Sequence, residues 1–249
     1  LIASLAGVTV VATCYLLLAR LVWHRSASDT VIGTFSSAYV NAGNLGLPIA
    51  AYVLGDASLV APMLLTQLLV LQPVGLAVLD ATARPIPVGE PRSVRVRRWL
   101  LQPVRNPLMV GSLLGLLLSV SGLRLPDVVR DPIVLVGAMA VPSMLLAYGV
   151  SLRLGPRPGA GEPRLQIATI VGLKLVLQPV VAYLVGRYLV GLHGVDLFAV
   201  TVIAALPTAQ NVFTHAVRYD RGVILARDSI FISTLGSVPV LIVIAALLS

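Results

Sequence analysis

Asn41, Gly43, Asn44, Gly46 and Pro48 crowd into one apolar run, and Pro207, Thr208, Gln210 and Asn211 into another. Side-chain amides, a hydroxyl and backbone loosened by glycine and proline offer hydrogen-bond donors and acceptors, but no nucleophile and no acid or base. Their chemistry is binding. Each proline removes a backbone donor and clashes with the turn before it, and glycine weakens a helix further. The helix is expected to unwind from Asn41 to Pro48, and a second helix around Pro207. Unwound backbone at membrane depth survives only where protein or a water-filled cavity satisfies its N–H and C=O groups. Half-helix N-termini there present N–H groups and a partial positive charge, and asparagine amides can donate to a carboxylate. Half-helix C-termini and freed carbonyls suit a coupling cation instead. A kink packed on a neighbour explains one such segment equally well. Two in corresponding positions point to the binding site of a secondary transporter.

The elements that hold these residues follow from composition. Of 249 residues, 57% are hydrophobic and 11% charged, against about 25% charged in soluble domains. With a mean hydropathy of +0.95 the chain has too little polar sequence to cover a water-facing globule, so the lipid bilayer is its solvent. Apolar runs of membrane length lie at 1–23, 34–55, 58–80, 106–122, 132–152, 166–190, 196–217 and 225–248, giving an all-α polytopic protein of eight spans. The first run has no basic leader and reads as a span, not a signal peptide. Leu1 lies inside an apolar stretch, so the N-terminus reads as cut. Cys14 is the one cysteine, which excludes a disulfide framework and a Cys-based metal site and leaves a packing role.

Charge positions set the orientation. Of the eighteen Lys and Arg, fourteen fall in the connections at 20–33, 81–105, 153–165 and 217–228, and two, Arg124 and Arg130, on the opposite side. That asymmetry obeys strict alternation, so the Arg-rich loops are expected in the cytoplasm and both chain ends outside. Arg84, Arg92, Arg95, Arg97, Arg98 and Arg105 then act as topology determinants near anionic lipid. The net charge of +8 and pI near 10.4 need no nucleic acid to explain them. The connection 81–105, with Pro85, Pro87, Pro91, Pro103 and Glu90, reads as a solvated linker, and 153–165 as a loop.

The trios 1–80 and 166–249 each hold a broken second span and a third span with a threonine before a late proline, Thr66 and Pro73 or Thr234 and Pro239. They read as inverted repeats forming a moving transport unit, with 106–152 as the scaffold. The ten acids avoid the span centres, and neither an HExxH nor a GxSxG motif occurs, so no catalytic or metal-ligating set is expected and the protein is not read as an enzyme. Lys174 falls inside a span, where it either snorkels to the interface, neutralises a substrate carboxylate or stands where a cation would bind. Arg187 lies nearer the outer interface and snorkels. His215 is a candidate for proton or ion coupling, with polar packing as the alternative. Gln67, Gln72 and Gln178 read as interhelical hydrogen-bonders.

The string Ser37-Ala38-Tyr39-Val40 followed by Asn41 to Pro48, and the later Ala205 to Phe213 with Tyr219 beyond it, resemble the auxin efflux carrier family, bacterial permeases included. The resemblance implies a ten-helix fold of two inverted five-helix repeats, like that of bile-acid sodium symporters. The fourth and ninth helices of that fold cross at their broken midpoints beside the substrate. On this template the chain supplies helices three to ten and the first two are missing. Asn41 matches the family's crossover asparagine and Pro207 the proline of the second crossing. Plant members are less polar after that proline, so Gln210 and Asn211 imply a substrate more polar than an indole acid. The implied function is alternating-access transport of a small organic anion, auxin-like or a dicarboxylate such as malate, across the plasma (inner) membrane. No cofactor is implied; Na⁺ or H⁺ as coupling ion stays open, and homodimerisation through the scaffold is a family expectation. A channel or a ligand-sensing membrane protein using the same crossing is the alternative.

Overall fold

The computed structural model describes residues 1–83 and 107–248, so the linker arginines, its prolines and Glu90 lie outside the described residues. In chain order the helices are α1 (Ile2–Val22), α2 (Ala27–Ala38), α3 (Leu47–Tyr52), α4 (Ala57–Thr82), α5 (Pro107–Ser121), α6 (Asp127–Leu154), α7 (Arg164–Val190), α8 (Gly194–Ala204), α9 (Asn211–Tyr219) and α10 (Val223–Leu248). Among the described residues no strand forms; a single antiparallel bridge pairs Val40 with Thr208. Five of these helices, α1, α4, α6, α7 and α10, are long and apolar enough to cross a membrane. Leucines and valines along them stay bare, as with Leu154 and Leu189, which in water would form an aggregation-prone surface and in lipid is the ordinary outer face.

The expected spans 34–55 and 196–217 are each two short helices joined by extended backbone. The helical part of the first begins at Ala27, because Ser26 caps it, its hydroxyl oxygen accepting from the Asp29 N–H at 3.2 Å. This helix ends at Ala38, and Tyr39 and Val40 are extended. Unwinding is therefore confined to Tyr39–Asn41, nearly two turns before Pro48, where the sequence suggested it would run on to the proline. The reason is a π turn. Ala42–Gly46 is wound as π-helix, and Gly46 donates to the Asn41 carbonyl five residues back at 2.9 Å. Widening the turn relieves the clash between the proline ring and the carbonyl four residues before it. The same arrangement recurs: π turns at Gln67–Leu71 and Leu173–Leu177 precede Pro73 and Pro179 by two residues.

Two apolar clusters flank the crossing. Ile32, Phe35, Leu76, Leu79, Phe213 and Ile230 pack on one side, and Val8, Val11, Ala50, Val60, Met63 and Leu206 on the other. In the first cluster Gly75 makes room for Phe35: a methyl group there would sit inside the ring. Phe35 cannot swing away, since it packs edge-on to Tyr39 at 5.5 Å and against His215 at 6.0 Å. Gly75→Ala gains about 0.5–1 kcal/mol of helix propensity but overpacks at about 1–3 kcal/mol. The melting temperature is expected to fall, and a rise in a thermal-denaturation measurement would remove this close approach.

The connections gather at one end of the bundle. Arg25 donates to Glu162 at 3.1 Å and Gln166 at 2.5 Å, the Ser28 hydroxyl to Thr82 at 2.9 Å, and the Tyr219 hydroxyl to Asp80 at 2.9 Å. Sequence alone treats Arg227 as a loop charge and Asp228 as a span-end acid. Both are instead fully buried and paired at 2.7 Å. Arg227 also donates to the carbonyls of Ser151 and Pro156, while Asp228 accepts from the Gly159 N–H at 2.8 Å. The pair thus fastens the 155–163 loop and the end of α6 onto α10, which is why the charges are tolerated inside.

Candidate functional site

The two interruptions meet. The Asn41 N–H donates to the Pro207 carbonyl at 2.8 Å, and the Ala209 N–H to the Tyr39 carbonyl at 3.1 Å, so backbone freed from one helix is satisfied by backbone freed from the other. What the crossing leaves over is met by side chains. Gln67 on α4 accepts from the Val40 N–H at 2.7 Å and donates to the Val40 carbonyl at 3.0 Å, acting as a short third strand. Ser233 on α10 accepts from the Thr208 N–H at 3.1 Å, and the Thr208 hydroxyl donates to the Ser36 carbonyl at 2.5 Å.

Beside the crossing lies a cavity of about 450 Å³. Its polar wall holds Tyr39, Asn41, Asn44, Gln67, Gln72, Gln210 and Asn211, and its apolar wall includes Leu64, Leu68, Val141 and Met144. The N-terminal ends of both second half-helices, the π turn Ala42–Gly46 into α3 and Asn211–Tyr219, open into it. Asn41 Oδ1 caps the first by accepting from the Asn44 N–H at 3.2 Å. The Asn44 amide donates across the crossing to Gln210 Oε1 at 3.0 Å, and the Tyr39 hydroxyl to Gln72 Oε1 at 3.3 Å. Among the described residues the buried Asn211 Oδ1 has no hydrogen-bond partner. Asn41 Nδ2 likewise donates to no protein atom among them, nor does Gly43 N–H. Two helix N-termini with about half a positive charge each, plus amide donors and an apolar flank, suit an organic anion.

Not every residue singled out from sequence reaches this cavity. Asn41, Gly43, Asn44, Gln210 and Asn211 line it; Gly46, Pro48, Pro207 and Thr208 do not. Gly46 serves close packing, because a Cβ there would stand 3.0 Å from Leu206 and 3.3 Å from Val60. At Gly43 a Cβ would meet only Leu64, at 3.9 Å, so this glycine leaves the cavity open. Pro48 shapes the π turn, while Pro207 and Thr208 build the crossing itself. Lys174 does not snorkel. It is wholly buried, with Nζ donating to Gln178 Oε1 at 3.0 Å, and Gln178 in turn donates to the Ala38 carbonyl at 3.3 Å. It thus sits at the carbonyl end of α2, away from the cavity. His215 is buried beside Phe35 with neither ring nitrogen partnered among the described residues. Arg187 meets the His193 ring near the start of α8. No group of acids, histidines and cysteine able to hold a metal occurs among the described residues.

A family model described as membrane transport protein matches residues 1–245. The chain belongs to the auxin efflux carrier family of membrane transport proteins. A search of curated proteins returned no match. Membership makes this chain a multi-pass membrane transporter, and gives the lipid-facing leucines and the bonded crossing of its two broken helices their setting.

Tyr39, Gln67, Gln72 and Ser233 are the site residues that sequence reasoning left aside or took for ordinary interhelical contacts. A signal was present for the two glutamines. Each is a buried amide close to a proline in an otherwise apolar span, where leaving such a group unpaired is costly.

Proposed function

We propose that this transporter moves a small organic carboxylate across the plasma (inner) membrane by alternating access, binding it in the cavity beside the crossing. The observation that carries the reading is the convergence of two half-helix N-termini and unpartnered amides on one cavity. Asn41 Nδ2, the Gly43 N–H and the Gln210 amide donate to the carboxylate, Asn211 accepts from a hydroxyl or acid proton, and Leu64, Leu68 and Met144 receive the hydrocarbon body. The amide-rich wall favours a substrate carrying further polar groups, such as a hydroxy acid or dicarboxylate.

Inverted repeats are supported by matching duties. Gln67 relieves Val40 and Ser233 relieves Thr208, each from the third span of its trio. The trios 1–80 and 166–249 form the moving unit and 106–152 the scaffold that supplies Val141 and Met144. The Arg-rich loops lie in the cytoplasm, in keeping with the gathering of the described connections, 20–27, 155–163 and 219–222, at one end of the bundle. Lys174 holds its side-chain nitrogen near the carbonyl end of α2 through Gln178, in the place a coupling cation would take. With Lys174→Gln, uptake is expected to fall several-fold while carboxylate binding in the cavity persists, the loss of a buried hydrogen bond corresponding to about 0.5–1.5 kcal/mol. Unchanged uptake would remove that role. His215 remains the candidate for proton coupling.

Counterflow in proteoliposomes tests the reading as a whole. Preloading with unlabelled malate or benzoate should accelerate entry of the labelled acid and saturate with its concentration. Non-saturating flux carried as current would favour a channel instead.

A further inference from the structure

A second cavity, of about 730 Å³, opens between α7 and α10 at the end of the bundle that holds the 155–163 loop. Arg157 and Arg164 stand at its mouth, and Ile167, Val171 and Ile232 form its walls. Its floor is a stripe of decreasing bulk, since Arg164, Ala168 and Gly172 fall four residues apart on one face of α7. A Cβ at Gly172 would meet nothing within 4 Å, so the slot is open at its deep end. From Arg164 to Gly172 it runs about 12 Å along the helix, close to the depth of one hydrocarbon leaflet.

The charges at the mouth are not cancelled by their surroundings. Glu162 is taken up by Arg25 at 3.1 Å, and Asp228 by Arg227 and the Gly159 N–H. Among the described residues neither Arg157 nor Arg164 forms an ion pair. The loop carrying Arg157 is also fixed, because Arg227 holds the Pro156 carbonyl and Asp228 the Gly159 amide. Two free guanidinium groups above an apolar slot of leaflet depth complement one kind of molecule, a phosphate joined to an acyl chain.

We propose that this groove is a binding site for an anionic phospholipid of the cytoplasmic leaflet, with Arg157 and Arg164 on the headgroup phosphate and one acyl chain along Ala168, Val171 and Gly172. Such a lipid wedges α7 against α10, the helices that carry Lys174 and Ser233, and so stabilises the half of the protein that supports the crossing. The groove is separate from the carboxylate cavity, and its occupancy does not depend on what the transporter carries.

Titrating phosphatidylglycerol into the full-length protein in neutral detergent, with native mass spectrometry and thermal denaturation as readouts, tests this. The wild type should retain phosphatidylglycerol in preference to phosphatidylcholine and melt at a higher temperature with it. Arg157→Gln with Arg164→Gln should weaken retention roughly twentyfold, at about fivefold per arginine, and abolish the shift. Both side chains are exposed, so the double variant folds, as an unchanged melting temperature without lipid would verify. Gly172→Leu fills the slot and should have the same effect with both arginines intact. Arg218→Gln with Arg221→Gln, at the same end of the bundle, should change nothing. Equal loss in that control pair would mean diffuse surface charge and overturn the site. So would a shift produced by glycerol phosphate alone, which would mark an anion site without a lipid slot, and so would full retention in Gly172→Leu.

Discussion

Gln67→Leu is expected to destabilise the protein by about 1–3 kcal/mol. Gln67 is buried and bonds both polar groups of Val40. Leucine matches its bulk but leaves the Val40 N–H with no acceptor, at about 1–3 kcal/mol for a buried unsatisfied group. The carbonyl suffers less, because it still accepts from the Ala42 N–H at 2.8 Å. Relaxation is blocked on the other side, where Val40 is bridged to Thr208 and Thr208 is tied to Ser36 and Ser233. Thermal denaturation in detergent measures the effect. A melting temperature within a degree of wild type would mean that another group had taken over the Val40 amide.

Asn41→Asp should have the opposite profile, with binding lost and the fold kept. The carboxylate retains an oxygen for the Asn44 N–H, so the cap at 3.2 Å survives, and a negative charge at a half-helix N-terminus is itself favourable by about 0.3–1 kcal/mol. What disappears is the amide donor, and what arrives is a charge facing the substrate's own. Loss of a hydrogen bond to a charged group corresponds to about 1.5–3 kcal/mol. Repulsion between unit charges 4 Å apart adds about 4 kcal/mol at an effective dielectric of 20. Together they predict a Kd for carboxylate more than about a thousandfold higher. Asn41→Ala is the useful contrast, because it removes donor and cap together and also costs about 1 kcal/mol in stability. Calorimetric titration and melting curves on both variants separate the two roles; retained affinity in Asn41→Asp would exclude Asn41 from the site.

Much of this was legible in the sequence. The long apolar spans and the polar interruptions around Asn41 and Pro207 follow from composition and proline chemistry, both local properties. The position of the first break was not, since Pro48 is accommodated by a π turn and the chain unwinds at Tyr39–Asn41, where the partner strand from Pro207 to Ala209 is available. Nor was the task of Gln67, whose partner lies 27 residues away on another helix. Arg227 and Asp228 read as end-of-span charges because nothing local announces that the 155–163 loop folds back over them. Lys174 is legible as an anomaly in an apolar span, but its bond to Gln178 one turn on, and through it the tie to α2, needed the packed bundle.

The central claim is that a carboxylate binds between the two half-helix N-termini with its hydrocarbon body toward α4 and α6. Anomalous diffraction from crystals of the full-length transporter with bromobenzoate locates both ends of the ligand at once. The account predicts one bromine peak near Leu64 and Met144, with carboxylate density against Asn41 and Gly43. A bromine peak outside this cavity, or a carboxylate turned toward Met144, would contradict it.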